Sequence, residues 1–232
     1  MNIYVLKNIL IKTIKAVIYL PKFESYVSNS VYDIGCSGQT VYVYDKSGTE
    51  LARFKDLIYA YYAAISPCGD MFVVKSAEGR LAAYSLETLS LIKKFRYSKV
   101  NDSQDDGFCF SADGKYFINL ERHGDSLHSA ITVYDVTDFS VVSEFLLGED
   151  GMVSDIEESD GDFYVLGFWR DNDGIISEGF VGKFRDGKIF DSVNFEKMKF
   201  DYYHGLFSWK RKGNTDEELT LANLWRLLNS KN

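Results

Sequence analysis

The sequence predicts an all-β fold in which similar four-stranded sheets repeat around a common axis. The 232-residue chain is 46% hydrophobic and 16% aromatic, a composition that suits the half-buried surfaces of β-sheets. A short strand–turn–strand segment recurs along the chain, and each copy precedes a second pair of short strands. Because one such sheet cannot cover both of its own faces, we expect neighbouring copies to stack.

The first half of the repeat is a hairpin centred on a glycine. Residues 63–74 align with residues 108–118, and both segments show strand, tight turn and strand. Gly69 and Gly114 occupy the same place in the two turns, where a short hairpin commonly requires a positive φ. The sequence Ser159-Asp160-Gly161 is a third copy of this turn.

The second half of the repeat is another strand pair. Residues 81–95 match residues 131–145, and the same pattern returns at 41–54 and 180–190. Four strands per unit at a period of about 45 residues is the spacing of propeller blades. The predicted blade-like repeats cover about 30–54, 59–95, 106–145 and 152–193.

These motifs resemble the WD-repeat and YVTN families of β-propellers. The matching residues are Ser66 to Gly69, Ser111 to Gly114, Val43-Tyr44-Asp45 and Val133-Tyr134-Asp135. The resemblance covers roughly residues 30–195 and implies a β-propeller architecture. The Gly-His and Trp-Asp dipeptides typical of WD repeats are absent, and Cys68 replaces the usual Asp, so the resemblance implies no His–Asp hydrogen-bond network.

Ring closure is predicted to involve both ends of the chain. Four units together with terminal strands at 3–20 and 202–209 would make a ring of five blades, and a four-blade ring is the alternative. We therefore predict a single domain over residues 1–232, a small β-propeller of four to five four-stranded blades with a C-terminal capping helix.

The C-terminal helix is predicted over residues 215–229. Thr215 and Glu218 form a capping-box pattern that opens the apolar run. The residues expected on its apolar face are Leu221, Leu224, Trp225 and Leu228. We expect this face to pack against the propeller, and a detachable helix that binds a partner is the alternative.

Charge and cysteine content bear on partners and compartment. The net charge of −8 repels phosphate backbones, so nucleic acid is not an expected partner. The three cysteines are far apart in sequence, which favours free thiols in a reducing cytoplasm. Lysines interrupt the apolar N-terminal residues 1–20, so neither a membrane span nor a signal peptide is expected there. A basic amphipathic helix is the alternative for that segment.

Patterns that would indicate catalysis or a cofactor are missing from the sequence. No Gly-x-Ser-x-Gly elbow occurs, and Gly-rich phosphate loops are absent. The segment Asp171-Asn172-Asp173-Gly174 fails as an EF-hand, because Trp169 and Phe180 stand where acidic ligands are required. His123 and His128 lack further anchored ligands for zinc. We therefore predict a protein that is not an enzyme and holds neither metal nor cofactor.

Candidate binding residues lie in three long loops, two that join the second and third strands of a unit and one, 98–106, that joins two units. Loops 121–125 and 168–173 should lie side by side on one face of the ring, and loop 98–106 should reach the same face. Tryptophan and arginine are frequent interface hot spots. The predicted binding residues are Trp169, Arg170, Arg122, His123, Asp105 and Asp106.

The predicted function is a monomeric, non-enzymatic protein-interaction module. Its acidic and aromatic loop face would bind a polypeptide, and the net charge favours a basic one. One version is an immunity or inhibitor protein that neutralises a toxin or nuclease. The alternatives are a propeller lactonase or hydrolase, as the YVTN resemblance implies, and a structural subunit recruited through its C-terminal helix.

Overall fold

Four antiparallel sheets and two C-terminal helices make up the part of the chain that the structure describes. The computed structural model describes residues 23–97, 107–123, 128–147, 151–211 and 219–230. Each sheet contains four strands in sequence order, so each is a simple meander. This confirms the predicted β-propeller-like architecture of four-stranded units.

The strands follow one another without crossing between sheets. Sheet 1 contains β1 (Ser25–Ser28), β2 (Tyr32–Cys36), β3 (Val41–Asp45) and β4 (Glu50–Phe54). Sheet 2 contains β5 (Ala60–Ile65), β6 (Met71–Ser76), β7 (Arg80–Ser85) and β8 (Ser90–Arg96). Sheet 3 contains β9 (Phe108–Phe110), β10 (Tyr116–His123), β11 (His128–Asp135) and β12 (Val141–Leu146). Sheet 4 contains β13 (Gly151–Ser159), β14 (Asp162–Arg170), β15 (Ile176–Arg185) and β16 (Lys188–Glu196).

The repeated hairpin turns have the same geometry in sheets 2 and 3. The Gly69 N–H donates to the Ser66 carbonyl at 2.9 Å, and the Gly114 N–H donates to the Ser111 carbonyl at 2.8 Å. The two glycines have φ values of 72° and 70°, as the turn chemistry predicts. The chain therefore reverses in the same way in both units.

A carboxylate supports each of these turns, but from different positions. In sheet 3 the Ser111 hydroxyl donates to Asp113 Oδ1 at 2.7 Å. In sheet 2 the corresponding position holds Cys68, and the Ser66 hydroxyl donates instead to Asp70 Oδ1 at 2.6 Å. Asp70 thus supplies in sheet 2 the acceptor that Asp113 supplies in sheet 3.

The sheets stack because their middle strands are apolar on both faces. Successive side chains of a strand point to opposite faces, so buried neighbours must enter two different cores. Phe72 packs between sheets 1 and 2, whereas Val73 packs between sheets 2 and 3. In the next sheet Phe117 faces sheet 2 and Ile118 faces sheet 4. Three apolar layers therefore hold the four sheets side by side.

A buried polar cluster lies where sheet 2 meets sheet 3. The Lys75 side chain is fully buried, and its ammonium donates to the Leu120 carbonyl at 2.6 Å. The Glu121 carboxylate accepts hydrogen bonds from Asn119 and Tyr134. Burial raises the pKa of Glu121, although its hydrogen bonds and the charge of Lys75 oppose the shift.

The C-terminal helices cover the outer face of sheet 4. Helix α1 (Lys197–Arg211) and helix α2 (Leu221–Asn229) bury Phe200, Phe207 and Leu221 against Leu166 and Val181 of that sheet. Helix α1 also contacts β1, so it lies between the last sheet and the first. Neither helix in the described ranges is long and apolar enough to cross a bilayer.

Two expectations for the C-terminal region are corrected. The strand predicted over 202–209 is wrong, because these residues lie inside helix α1, where Phe200 and Phe207 recur at helical spacing on the buried side. Helix α2 begins at Leu221 with Thr220 as its N-cap, instead of starting at residue 215. The predicted capping residues Thr215 and Glu218, like the strand expected at 3–20, lie outside the described residues.

Replacing Phe117 by alanine tests the stacked cores. Phe117 is fully buried, and its ring lies 5.3 Å from those of both Phe108 and Phe110. We expect Phe117→Ala to lower the free energy of unfolding by about 3–5 kcal/mol, measured by chemical denaturation. Tyr116→Ala is the matched control, since the adjacent side chain is 39% exposed and should cost far less. Equal losses in the two variants would contradict the described packing.

The turn carboxylate of sheet 3 predicts an acid-dependent contribution to stability. Hydrogen bonds from the Ser111 hydroxyl and the Lys115 N–H, with the Lys115 ammonium, lower the pKa of Asp113 to about 2. A lowered pKa stabilises the folded state above the ordinary value of 3.8, and the contribution fades as the pH falls through about 2. Asp113→Ala should therefore be less stable than wild type near neutral pH, with a difference that shrinks on acidification. Unfolding midpoints of both proteins, measured from neutral pH down to about 2, check this prediction. A stability difference that stays constant with pH would contradict it.

Candidate binding site

One end of the ring, here called the loop face, carries the connections between sheets and those between second and third strands. Its described segments are 37–40, 55–59, 77–79 and 171–175. Segments from neighbouring sheets meet there, since Gly38 forms an isolated β-bridge with Ala60 and the Ala77 N–H donates to the Tyr59 carbonyl. The large apolar side chains of Ile58, Tyr59 and Ile175 are exposed on this face.

The structure places Trp169 and Arg170 at the loop-face end of β14. The Trp169 ring is half-buried and packs against Phe180 at a centroid distance of 4.8 Å, within the core between sheets 3 and 4. The Arg170 guanidinium lies over the Phe168 ring at 5.5 Å. Arg170 therefore lies at the edge of the loop face, where its guanidinium can contact a partner. Much of the Trp169 ring is buried by its packing against Phe180.

The other predicted binding residues are only partly described. Arg122 and His123 pair with Ser129 and His128 at the loop-face end of sheet 3. This places their backbone at the same end of the ring as Arg170. Asp105 and Asp106 lie outside the described residues.

The acidic turn between β14 and β15 has a local structural explanation. Asp171 Oδ1 accepts hydrogen bonds from the N–H groups of Asp173 and Ile175, at 3.0 and 2.9 Å, and Gly174 adopts a φ of 75°. This self-bonded turn is exposed and projects carboxylates into solvent. Among the described residues, no group of three His, Cys, Asp or Glu side chains is arranged to hold a metal ion.

A cavity of about 440 Å³ lies at the centre of the ring. The first strands of all four sheets line it, through Tyr26, Tyr62, Phe108 and Asp155 among others, and Phe207 of helix α1 closes one side. None of these residues was predicted from the sequence to belong to a site. What the strand residues have in common in the sequence is their position, since each lies in the first strand of its repeat.

Carboxylates cluster along the β13 wall of this cavity. The lining includes Asp155, Glu157 and Glu158. Only 4% of Asp155 is exposed, and the Ser154 hydroxyl donates to its Oδ2 at 3.3 Å. His204 Nδ1 of helix α1 lies 3.5 Å from the same oxygen.

Glu157 ties both helices to the first strand of sheet 4. Its Oε1 accepts a hydrogen bond from the Lys210 ammonium at 2.7 Å, and its Oε2 accepts one from the Leu221 N–H at 2.8 Å. Lys210 also donates to the Leu219 carbonyl at 2.7 Å. A carboxylate at a helix N-terminus satisfies an otherwise unpaired N–H group and favours the helix dipole. The position of α2 is therefore fixed by polar contacts as well as by packing.

Two titratable groups in the cavity remain protonated near neutral pH. Burial, followed by the hydrogen bond to Asp33, raises the pKa of Tyr26 to about 12. Burial also raises the pKa of the Cys109 thiol, and the charges of Glu157 and Glu158 raise it further. Neither the Tyr26 hydroxyl nor the Cys109 thiol therefore adds negative charge to the cavity near neutral pH.

A pair of leucines tests whether helix α2 belongs to the fold. Leu224 is buried against sheet 4, whereas Leu227 on the same helix is 49% exposed. Leu224→Ala should lower the free energy of unfolding by about 2–4 kcal/mol, because it leaves a cavity. Leu227→Ala should change it by less than about 0.5 kcal/mol. Chemical denaturation measures both, and a neutral Leu224→Ala would show that α2 detaches without cost.

Comparisons with known proteins support the architecture alone. No family model and no curated protein matches the sequence. Among solved structures, the chain is similar to hydrazine synthase of Kuenenia stuttgartiensis, with a TM-score of 0.58 and 15% identity over 72% of this chain and 51% of that one. It is also similar to U3-55K, with a TM-score of 0.57 and 13% identity over 75% of this chain and 52% of that one. The chain thus spans about half the length of each, and both contain β-propellers. Together with the four stacked sheets, these similarities identify the fold as β-propeller-like.

Proposed function

We propose that the chain is a non-enzymatic interaction module that holds a polypeptide partner on its loop face. The observation that carries this proposal is the exposure of Ile58, Tyr59 and Ile175 on the same face as the carboxylates of Asp171 and Asp173. Apolar side chains surrounded by polar ones are characteristic of protein-binding surfaces.

The charge of the chain favours a basic partner. The net charge is −8, and the turn between β14 and β15 adds exposed carboxylates at the rim of the loop face. Complementary charges accelerate encounter and exclude acidic competitors. An inhibitor of a basic toxin or nuclease would be one member of this class.

The sheets supply a rigid support for such a surface. The loop-face segments connect strands whose middle residues are buried in the three apolar layers. Connections of this kind can present varied side chains without disturbing the packed sheets. Arg170 extends the surface, because its guanidinium stacks on Phe168 at the end of β14.

A comparison of captured proteins between matched variants tests the proposal. The loop-face variants are Tyr59→Asn combined with Ile175→Ser, and Arg170→Ala alone. Asparagine is chosen because Tyr59 has a φ of 54°, which asparagine tolerates. The control is Val142→Ser, which removes a side chain that is 54% exposed on the outer strand β12.

We expect a protein captured by wild type and by Val142→Ser to be lost, by about tenfold or more, from the loop-face variants. High salt should weaken the capture, because screening reduces attraction between exposed charges. Quantitative mass spectrometry of captured proteins measures these effects. Equal capture by all variants, or capture of no protein, would refute the proposal, and turnover of an ester or lactone would favour the hydrolase alternative.

A further inference from the structure

The buried polar cluster between sheets 2 and 3 places a lysine opposite an asparagine. Lys75 pairs with Tyr62 across neighbouring strands of sheet 2. Asn119 pairs in the same way with Phe108 of sheet 3. Directly paired residues point to the same face of a sheet, and the ring centroids of Tyr62 and Phe108 lie 4.4 Å apart across the layer. Lys75 and Asn119 therefore occupy facing positions, and both side chains are fully buried.

The Lys75 side chain crosses this layer to the strand that carries Asn119. Its ammonium donates to the backbone carbonyl of Leu120 at 2.6 Å, next to Asn119 in the sequence. Burial raises the pKa of Glu121, and the charge of Lys75 acts on that carboxyl in the opposite direction. Stacked sheets lie about 10 Å apart, a distance that a lysine and an asparagine side chain joined end to end can span. The amine, the amide and the carboxyl therefore converge in one part of the layer.

Asn119 presents an amide whose oxygen is unsatisfied. Its Nδ2 donates to Glu121 Oε1 at 3.0 Å. Its Oδ1 is buried and has no hydrogen-bond partner among the residues that the structure describes. Buried carbonyl oxygens without a donor are rare in folded proteins. An acid that donates to this oxygen would stabilise the charge that develops on it when a nucleophile attacks the amide carbon.

Glu121 is suited to move protons between the amine and the amide. Its carboxyl accepts hydrogen bonds from Asn119 and Tyr134, so it is held beside the amide nitrogen. Burial favours the neutral form of the carboxyl. A neutral amine beside a neutral acid costs less in an apolar layer than two poorly solvated charges, which favours proton transfer from Lys75 to Glu121.

Aromatic rings enclose the cluster and restrict the access of water. The Lys75 ammonium lies over the Tyr97 ring, 4.9 Å from its centroid. The Tyr134 ring packs against Phe95 at a centroid distance of 5.2 Å. Water is the nucleophile that would compete with the amine for the amide carbon, so its exclusion favours the amine. The fold also holds amine and amide together, which replaces an encounter between separate molecules.

We propose that Lys75 and Asn119 form an intramolecular isopeptide bond that joins sheet 2 to sheet 3, with Glu121 as the acid–base group. The Lys75 ammonium first gives one proton to the Glu121 carboxylate, and the neutral Nζ attacks Cγ of Asn119. As the Nζ–Cγ bond forms and the Cγ–Nδ2 bond breaks, Glu121 carries a proton from Nζ to Nδ2, which leaves as ammonia. The ammonia takes up the proton that remains on Glu121 and departs as ammonium.

The intact mass of the full chain, measured after denaturation, tests the proposal. We expect a mass below that of the sequence by one ammonia, about 17 Da, because the amine displaces it. Protease digestion should yield a linked peptide that contains both Lys75 and Asn119. A mass equal to that of the sequence would overturn the proposal. Loss of ammonia without the linked peptide would also overturn it, since an asparagine can lose ammonia by itself.

Substitutions of the two linked residues assign the bond. Asn119→Asp should lose water, about 18 Da, instead of ammonia, because hydroxide is then the group displaced. Lys75→Met should have the full mass of its sequence. Lys94→Met is the matched control, since this lysine is exposed on the outer strand β8, and it should keep the link. A linked product in Lys75→Met would overturn the proposal.

A third substitution tests the role of Glu121. Glu121→Gln keeps the size of the side chain but removes its acid–base function, and it should lower the linked fraction by at least about tenfold. A linked fraction equal to that of wild type would refute this role. Should Glu121→Gln fail to fold, the wild-type mass and the linked peptide still decide whether the bond forms. Capture of a partner by the loop face does not enter these measurements, so the two proposals fail independently.

Discussion

The structure depends on covering the apolar faces of its stacked sheets. The middle strands of sheets 2, 3 and 4 place buried residues in succession, as with Phe72 and Val73, so neither face of these sheets can be left in water. Stacking covers the faces that meet between sheets 1 and 2, 2 and 3, and 3 and 4, where side chains of adjacent sheets share one apolar layer. The remaining face of sheet 4 is covered by helices α1 and α2. The helices therefore bury an apolar face of sheet 4 in the way that a neighbouring sheet would.

Much of the fold could be predicted because its signals are local. The turns at Gly69 and Gly114 depend on residues a few positions apart, and their spacing in sequence already indicates repeated hairpins. Sheet 2 has Cys68 where sheet 3 has Asp113, and Asp70 accepts the hydrogen bond from Ser66 in its place. The same turn chemistry produces the same chain reversal in sheets 2 and 3. The third predicted copy, Ser159-Asp160-Gly161, forms a tighter turn in which Asp160 and Gly161 both have a positive φ.

Helix α1 could not be predicted in this way. Its segment is rich in phenylalanine and tyrosine, which favour strands, and its helical spacing becomes meaningful only against sheet 4. The start of α2 was also misplaced, because its N-cap is Thr220, whose hydroxyl accepts a hydrogen bond from the Asn223 N–H, and not the earlier threonine at position 215. The contact of the Leu221 N–H with Glu157, 64 positions away in sequence, could be seen only in the folded structure.

The candidate site, too, could be predicted only where its signals are local in sequence. Trp169 and Arg170 could be placed at the loop end of β14 from the repeat alone, but the packing of Trp169 on Phe180 required the neighbouring sheet. The cavity was missed because Tyr26 and Asp155 come together only when the first strands converge. The sequence feature that marks the cavity is an aromatic or acidic residue in the first strand of each repeat.

Each described sheet is built from one uninterrupted stretch of chain, which affects how the molecule can be divided. Strands from distant parts of the sequence are not interleaved within any of these sheets. A cut between β8 and β9 would leave sheets 1 and 2 whole in one fragment, and sheets 3 and 4 with their helices whole in the other. The fragments would expose complementary apolar surfaces, led by Val73 on one side and Phe117 on the other. The architecture therefore suits reassembly from two separately produced halves, with the rejoined surface as the driving contact.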